Sequence, residues 1–279
     1  MNELEGRVAI VTGAAGAIGK AVVAELAKAG VRVACVEPEG SPGLGCVVEE
    51  VRAAGGEATA APADVTEPAQ VERMVEGVVA RWGEVGVLVN NAGLFQAIGA
   101  VWEVDPETWW RDVRVNLFGA FLCCRAVLPS MLRAGAGTII NIAGGGFGSP
   151  HPGASAYASS KAGLTRLTDT LAAELAWKGS KVRVHALMPA LVRSALTEGV
   201  ASVPAGREWL SAITEGLVAG NDVEPASIAL SVLRLIAASS DALNGRILLH
   251  SDDAEVLGAR LGQGEVGGTD LFQLRYVRP

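Results

Sequence analysis

Tyr157 and Lys161 are the two residues of this chain whose types and spacing best suit proton transfer. A spacing of four residues places two side chains on the same face of a helix, one turn apart. Because an ammonium group favours a neighbouring phenolate, we expect Lys161 to lower the pKa of Tyr157 from its usual value of ~10. Such a phenol can donate or accept a proton at neutral pH. The same spacing also fits an ordinary helix with a half-buried ring and a solvated lysine, so the surrounding elements must distinguish the two interpretations.

The chain opens with a strand, a glycine-rich loop and a helix. Residues 7–12 are a β-branched run typical of a buried parallel strand, and a helical pattern extends to Ala29. The glycines permit a tight turn close to a ligand, and the N-terminus of the helix offers free N–H groups to a pyrophosphate. The segment therefore predicts a nucleotide site formed by Gly13, Ala15, Gly16, Ile18 and Gly19.

Glu37 follows a second predicted strand, residues 31–36. A carboxylate at this place accepts hydrogen bonds from the ribose hydroxyls of adenosine and repels a 2′-phosphate. Neither the glycine loop nor the sequence directly after Glu37 contains an arginine or a lysine. We therefore expect NAD to be preferred over NADP, although Glu37 also fits an exposed acid in a loop.

Strands and helices alternate through the rest of the chain. Further strands are predicted at residues 57–61, 85–89, 138–142, 181–187 and 246–250, and further helices at residues 43–54, 67–82, 106–134 and 225–239, with another helix that carries Tyr157. This alternation predicts an α/β fold with a parallel sheet covered on both faces, in which ligands bind where the strands end. Asp64 and Val65 follow the third strand, and Asn91, Ala92 and Gly93 follow the fourth, so we expect them to face the nucleotide.

Composition excludes several classes of function. The 279 residues carry a net charge of −7, which provides no basic surface for nucleic acid. We identify no apolar run of the length that a membrane span requires and no signal peptide, so we expect no membrane partner. The cysteines Cys35, Cys46, Cys123 and Cys124 lack the spacing of metal ligands. We interpret them as reduced packing residues of a cytoplasmic protein without a metal site.

Asn116 lies within the predicted helical segment 106–134. A polar amide in an otherwise apolar segment needs hydrogen-bond partners. It is consistent with a structural role, a functional role or both.

The order and spacing of these motifs resemble the short-chain dehydrogenase/reductase (SDR) family over roughly residues 5–250. The motifs are Thr12 with the three loop glycines, Asp64-Val65, Asn90 to Gly93, Asn116, Tyr157 with Lys161, and Pro189 with Val192 and Ser194. The resemblance implies a single-domain, Rossmann-type three-layer sandwich with a seven-stranded parallel sheet and a nicotinamide cofactor. It also implies a homo-oligomer, a dimer or tetramer assembled through the two long helices that contain Asn116 and Tyr157.

The resemblance assigns the catalytic roles residue by residue. Tyr157 would be the general acid/base, Lys161 would lower its pKa and bind the nicotinamide ribose, and Asn116 would hold a water in a proton relay. Pro189, Val192 and Ser194 would contact the cofactor. One role has no counterpart, because the serine expected thirteen residues before the tyrosine is Gly144.

The missing serine matters, because loss of one donor to a developing oxyanion typically lowers the rate by about 10²–10³-fold. A backbone N–H of the loop, a water molecule, Ser149, Ser155 or His151 are the candidate replacements. A second departure is Ala190, where the family usually has glycine.

The expected substrate site is mostly apolar. Its candidate residues are Phe95, Gln96, Gly144, Phe147, His151, Leu196 and Trp209. We interpret the less regular residues 194–222 as a lid, residues 1–250 as one domain and residues 251–279 as a tail that packs on the domain or on a subunit interface.

The expected function is an NAD(H)-dependent oxidoreductase that interconverts a secondary alcohol and a ketone on a small substrate. Two alternatives stay open because Gly144 lacks a hydroxyl. One is a relative that binds NAD without turnover, and the other is a redox-neutral isomerase or cyclase.

Overall fold

A seven-stranded parallel sheet forms the centre of the computed structural model, which describes residues 4–263. Its strands are β1 (Val8–Thr12), β2 (Arg32–Val36), β3 (Ala58–Ala60), β4 (Val87–Asn90), β5 (Gly137–Ile142), β6 (Val182–Met188) and β7 (Ile247–Leu249). The order across the sheet is β3-β2-β1-β4-β5-β6-β7. β1 pairs with β2 on one side and with β4 on the other, so the loops that follow β1 and β4 emerge side by side. This arrangement confirms the predicted α/β fold.

The described part of the chain contains eleven α-helices, of which the first ten lie between strands and the last follows β7. They are α1 (Ala17–Lys28), α2 (Pro42–Ala53), α3 (Pro68–Trp82), α4 (Pro106–Val113), α5 (Ala120–Ala134), α6 (Ser155–Trp177), α7 (Ala195–Ser202), α8 (Pro204–Trp209), α9 (Ser211–Ala219), α10 (Pro225–Ala237) and α11 (Ala254–Gly262). A π-helical turn, Arg114–Gly119, joins α4 to α5.

Side-chain alternation along the strands builds a core on each face of the sheet. In β1, Ala9 and Val11 face the layer formed by α1, α2 and α10. Val8 and Ile10 face the layer formed by α3, α5 and α6. Because neighbouring residues of a strand point to opposite faces, a strand that is buried along its whole length, such as β1, must lie between two helical layers. The protein is therefore a three-layer sandwich.

The segment 194–222 is more regular than the sequence suggests, because it contains α7, α8 and α9. Ser194 caps α7 through a reciprocal capping box with Thr197. Val200 and Leu210 are buried, so these short helices pack onto the domain.

The end of the described chain continues this packing. In α11, Ala254 is buried in the core that contains α1 and α10, and Leu257 and Leu261 pack against it. Residues 264–279 of the predicted tail lie outside the described residues.

One helical stretch, residues 106–134, is long and apolar enough to cross a membrane by length and composition alone. The sequence prediction that no such run exists is therefore wrong. Half of its most apolar window is buried within the domain, and Leu122, Cys123 and Val127 belong to the core beside the sheet. A helix that is apolar on most sides is typical of such a buried position.

Three of the cysteines have the predicted packing role, and one does not. Cys35, Cys123 and Cys124 are buried free thiols, whereas Cys46 on α2 is exposed. Burial raises the pKa of Cys35 and Cys124 to about 12, so these thiols stay protonated and unreactive.

Candidate active site

The loop after β1 and the loop after β4 are in direct contact. Gly13 has a φ of +64°, and a Cβ at this residue would lie 2.8 Å from Ala92 Cα. Asn91 Nδ2 donates to the carbonyl oxygens of Thr12 and Gly13, at 3.0 and 2.9 Å. The Thr12 hydroxyl accepts from the backbone N–H groups of Asn91 and Ala92, both at 3.0 Å. These contacts require glycine at residue 13 and fix the shape of the loop.

The N-terminus of α1 is open to a ligand. Its N-cap residue is Gly16, and no side chain caps the first turn, so the first N–H groups of the helix are free for an anion. Gly19 has a different role, because a Cβ there would overlap the carbonyl oxygen of Gly13. This glycine cradle fits the pyrophosphate of a dinucleotide.

Glu37 stands beside that cradle at the end of β2. Its Oε1 accepts from the Ala15 N–H at 2.7 Å, and burial raises its pKa. The carboxylate therefore braces the loop on the side opposite Asn91. Because a carboxylate has two oxygens, Glu37 can accept a further hydrogen bond from a ribose hydroxyl.

A cleft of about 1260 Å³ runs along the carboxyl ends of the strands. It brings together most of the sequence-predicted cofactor residues: Gly13, Ala15, Gly16, Ile18, Glu37, Asp64, Val65, Asn91, Ala92, Gly93, Tyr157, Lys161, Pro189, Val192 and Ser194. Gly19 is absent from its wall because it packs α1 against the loop. The Asp64 side chain forms a local hydrogen-bonded turn, since its Oδ1 accepts from the N–H and the hydroxyl of Thr66, both at 2.8 Å.

Tyr157 and Lys161 both line the cleft, but their contact differs from the expected one. Lys161 Nζ donates to the carbonyl oxygen of Ile142 at 2.9 Å and lies 5.6 Å from the centre of the Tyr157 ring. Burial raises the pKa of Tyr157 to about 12 and lowers the pKa of Lys161 to about 8. The expected lowering of the tyrosine pKa is therefore not found in this structure, and at neutral pH the phenol holds its proton.

Gly144 lies against the phenol of Tyr157. A Cβ at residue 144 would overlap the hydroxyl oxygen and would lie 2.9 Å from Cζ of the tyrosine. On the ring face, Phe95 stacks on Tyr157 with a centroid distance of 4.1 Å and an interplanar angle of 7°. The tyrosine therefore sits where a side chain at residue 144 would stand.

Asn116 belongs to the π-helical turn, and its side chain is fully engaged. Oδ1 accepts from the Leu94 N–H at 2.7 Å, and Nδ2 donates to the Leu94 carbonyl at 2.9 Å and to the Ser160 hydroxyl at 3.0 Å. Ser160 in turn donates to the carbonyl oxygen of Tyr157 at 2.7 Å. The Asn116 side chain thus ties the loop after β4 to α6 and does not itself line the cleft.

The expected substrate residues divide into two groups. Phe95, Gly144 and Leu196 line the cleft, whereas Gln96, Phe147, His151 and Trp209 do not. Phe147 packs against Ala143, Ala186, Ile247 and Met188, and the His151 ring lies over Gly145. Within residues 4–263, no group of His, Cys, Asp and Glu side chains is placed to hold a metal ion.

The match to known proteins agrees with this geometry. Residues 7–204 match the family model described as short chain dehydrogenase. The chain belongs to the short-chain dehydrogenase family.

Relatives from bacteria carry names of reductases and dehydrogenases. The chain is 36% identical over 204 residues to a 3-oxoacyl-(acyl-carrier-protein) reductase of Synechocystis sp., covering 73% of this chain and 81% of that protein. It is 33% identical over 248 residues to the D-threitol dehydrogenase of Mycolicibacterium smegmatis, covering 88% and 92%. A solved variant of actinorhodin polyketide ketoreductase with NADPH superposes with a TM-score of 0.79 at 33% identity, covering 91% of this chain and 99% of that one. Members of this oxidoreductase family use nicotinamide cofactors.

The sequence analysis assigned no role to several residues that support this short-chain dehydrogenase site. The Thr12 hydroxyl holds the loop after β4, and the Ser160 hydroxyl connects Asn116 to Tyr157. Asp112, on α4, is fully buried and accepts from the N–H groups of Gln96 and Ala97. Thr12 and Ser160 directly precede the motif residues Gly13 and Lys161, and this position in the sequence could have indicated their roles. No local pattern identifies Asp112.

Proposed function

We propose that this short-chain dehydrogenase is an NAD(H)-dependent oxidoreductase that interconverts a secondary alcohol and a ketone on a small, mostly apolar substrate. The observation that carries the proposal is that a single cleft is lined both by Tyr157 and Lys161 and by the glycine cradle. A cleft of about 1260 Å³ has room for a dinucleotide and a small second molecule.

Proton transfer falls to Tyr157. When bound, the nicotinamide ring supplies or accepts the hydride. In the reductive direction, the protonated phenol of Tyr157 would donate its proton to the oxygen of the ketone, which would become the hydroxyl oxygen of the alcohol. The resulting phenolate regains a proton from solvent. Because the pKa of Tyr157 is raised to about 12, the tyrosine is in the donor form at neutral pH.

Lys161 supplies positive charge beside that phenol. With a pKa lowered to about 8, its amine still carries a proton for most of the time at neutral pH. An ammonium 5.6 Å from the ring centre stabilises the phenolate that proton donation leaves behind. Lys161 Nζ donates to the carbonyl oxygen of Ile142, and both residues line the cleft. We assign to Lys161 the binding of the nicotinamide ribose.

The preference for NAD rests on Glu37. Its carboxylate is held at the end of β2 by the Ala15 N–H, where it suits ribose hydroxyls and repels a 2′-phosphate. The neighbouring cleft residues Val36 and Pro38 carry no positive charge. The NADPH in the solved ketoreductase belongs to that protein and does not decide the preference of this chain.

Further parts of the proposal concern the surroundings of the site. Residues 194–222 serve as a lid, because Ser194, Leu196 and Thr197 at its start line the cleft. The chain works as a dimer or tetramer in the cytoplasm, where its buried cysteines remain thiols.

A second candidate is a relative that binds NAD with altered or lost redox activity. The observation that favours it is Gly144. This residue provides no hydroxyl, and Tyr157 occupies the space that a side chain at residue 144 would need. This candidate includes a redox-neutral isomerase or cyclase.

The test is turnover of purified protein with NAD or NADP and a panel of secondary alcohols, followed by absorbance of the reduced cofactor. We expect turnover with NAD, weaker turnover with NADP, and loss of turnover in Tyr157→Phe with cofactor binding retained by calorimetry. Full activity of Tyr157→Phe would contradict the assignment. Cofactor binding without turnover, or product formation without net change of cofactor, would favour the second candidate.

A further inference from the structure

Asp112 is a buried carboxylate that the proposed chemistry does not use. It lies on α4 and is 0% exposed, and its Oδ2 accepts from the N–H groups of Gln96 at 2.8 Å and Ala97 at 2.9 Å. Its Oδ1 has no hydrogen-bond partner in the described part of the chain. Burying a carboxylate is unfavourable unless hydrogen bonds or an opposite charge compensate for the lost water. Its two bonds both go to one short piece of backbone, residues 96–97.

That piece of backbone directly follows Phe95. The Phe95 ring is 6% exposed and packs in a cluster with Ala154, Val200 and Leu210. The Phe95 ring also stacks on Tyr157, with 4.1 Å between ring centres. Asp112 thus fixes the backbone next to Phe95, the residue whose ring covers the phenol of Tyr157.

The hydroxyl end of the same phenol lies against Gly144, because a Cβ at that residue would overlap the hydroxyl oxygen. Phe95, Tyr157 and Gly144 all line the cleft. Under the proposed function the substrate oxygen meets this hydroxyl, so the Phe95 ring is a large side chain stacked beside the place where the substrate reacts.

We propose that Phe95 is the specificity-determining residue of the substrate site and that Asp112 is the positioning residue that holds it against Tyr157. The arrangement selects ketones and alcohols with a slim substituent next to the reacting carbon. This inference rests on the proposed role of Tyr157 in proton transfer.

The first experiment needs no turnover. The chain contains two tyrosines, Tyr157 and Tyr276, so phenolate absorbance in a Tyr276→Phe background reports Tyr157 alone. Lys161 on the same helix is the charged group that faces the ring, and it is kept in every variant. Because the Phe95 ring keeps water from the phenol, Phe95→Ala and Asp112→Ala should both lower the apparent pKa of Tyr157 from about 12 toward its ordinary ~10.

Matched variants separate positioning from a general loss of structure. Asp112→Asn keeps an oxygen that accepts both N–H groups, so it should titrate like the parent protein. Asp105→Asn makes the same change at the exposed start of α4, where the carboxylate accepts from the Thr108 N–H, and should also leave the titration unchanged. If Asp112→Ala does not fold, Ala97→Pro removes one of the same two hydrogen bonds from the loop side. A parent-like titration of Phe95→Ala, or of the folded Asp112→Ala or Ala97→Pro, would overturn the proposal.

The second experiment measures selectivity between two methyl ketones, one with a methyl and one with a tert-butyl second substituent. We expect Phe95→Ala to raise kcat/KM for the bulky ketone relative to the slim one by about 10-fold or more, the effect of a few methylene groups in a pocket. Asp112→Ala should shift the ratio in the same direction, and Phe95→Leu should give an intermediate shift. An unchanged ratio in Phe95→Ala would refute the role of Phe95 in specificity. If no variant turns over either ketone, the proposed function fails, and the tyrosine titration still decides whether Asp112 positions Phe95.

Discussion

Gly144 shapes this site through the atom it lacks. Because Gly144 has no Cβ, the hydroxyl end of Tyr157 lies against it, while Phe95 stacks on the face of the same ring. A serine hydroxyl could not occupy the same space while the tyrosine keeps its present position. The sequence resemblance predicts a serine where Gly144 stands, and the structure shows that the phenol of Tyr157 lies in the volume that a side chain at residue 144 would need.

Two substitutions at residue 144 separate steric from chemical effects. Gly144→Ala and Gly144→Ser introduce the same overlap with Tyr157, so we expect both variants to have lower kcat than the parent. Only serine adds a donor for the substrate oxygen, and a lost donor of this kind is worth about 10²–10³-fold in rate. Gly144→Ser should therefore exceed Gly144→Ala in kcat. Equal values for the two variants would mean that another group already serves the substrate oxygen.

Lys161 shows why a spacing rule predicts partners incompletely. Four residues along a helix correctly bring its side chain near Tyr157. The rule cannot foresee that the ammonium finds a carbonyl acceptor on β5, at Ile142. Nor can it foresee the burial that raises one pKa and lowers the other. The sequence was sufficient to identify Tyr157 and Lys161 as site residues. Their pKa values depend on burial, which only the packed structure shows.

At the scale of an element, β6 contains a buried histidine. His185 is 0% exposed, and its ring nitrogens lie 3.0 Å from the Leu243 carbonyl and 2.7 Å from the Ser239 hydroxyl. These contacts join β6 to the segment that connects α10 to β7. Burial lowers the pKa of His185 to about 4, so the folded protein holds the neutral ring.

This histidine predicts a pH dependence of stability. The pKa is about 4 in the folded protein and 6.5 in the reference state, so the unfolded chain binds the proton more strongly. The stabilisation is complete above pH 6.5 and is lost as the pH falls toward 4, by about 3 kcal/mol. Urea unfolding of His185→Gln should show a flatter pH dependence than the parent over this interval. Parallel curves for His185→Gln and the parent would contradict the prediction.

The boundaries of elements show which local signals are sufficient. The predicted start of a helix at residue 106 is confirmed, because α4 begins at Pro106 and the Asp105 carboxylate accepts from the Thr108 N–H. The π-helical turn, Arg114–Gly119, leaves no such signature, since it depends on the fit of Asn116 between Leu94 and Ser160. The three helices in residues 194–222 were also missed, because their short length weakens any periodic pattern.

At the scale of the whole molecule, large apolar side chains remain exposed on the two helices that flank the site. Phe118 and Phe121 stack on each other with ring centres 6.0 Å apart and are 38% and 41% exposed. Trp177, at the end of α6, is 82% exposed. Exposed apolar patches of this kind mark interaction surfaces, which supports the predicted assembly of several copies.

Assembly is testable by mass in solution. We expect the parent protein to sediment as a dimer or tetramer and Phe121→Asp to sediment with a lower mass, because a carboxylate in an apolar interface is unfavourable. Val218→Asp, on α9, replaces another exposed apolar residue and should leave the mass unchanged. A monomeric parent, or an assembled Phe121→Asp, would refute assembly through this surface.

The order of motifs correctly predicted the α/β architecture of residues 4–263. Each strand carries apolar residues, and the loops after β1 and β4 hold Gly13 and Asn91, so their convergence followed from parallel topology. The substrate side was less predictable. His151 and Trp209 lie outside the cleft wall, while Asp112, distant in sequence from the loop it holds, contributes to the site.

The cross-bracing between Thr12, Asn91 and Glu37 has a consequence for the kinetics of cofactor capture. Hydrogen bonds between protein groups hold the loop after β1: the Ala15 N–H donates to Glu37, Asn91 donates to the Thr12 carbonyl, and the Ala92 N–H donates to the Thr12 hydroxyl. Association then loses the translational and rotational freedom of the ligand but little conformational entropy of the protein. Encounter with the cofactor should resemble the docking of two rigid bodies, with a single kinetic phase and no slow rearrangement after contact.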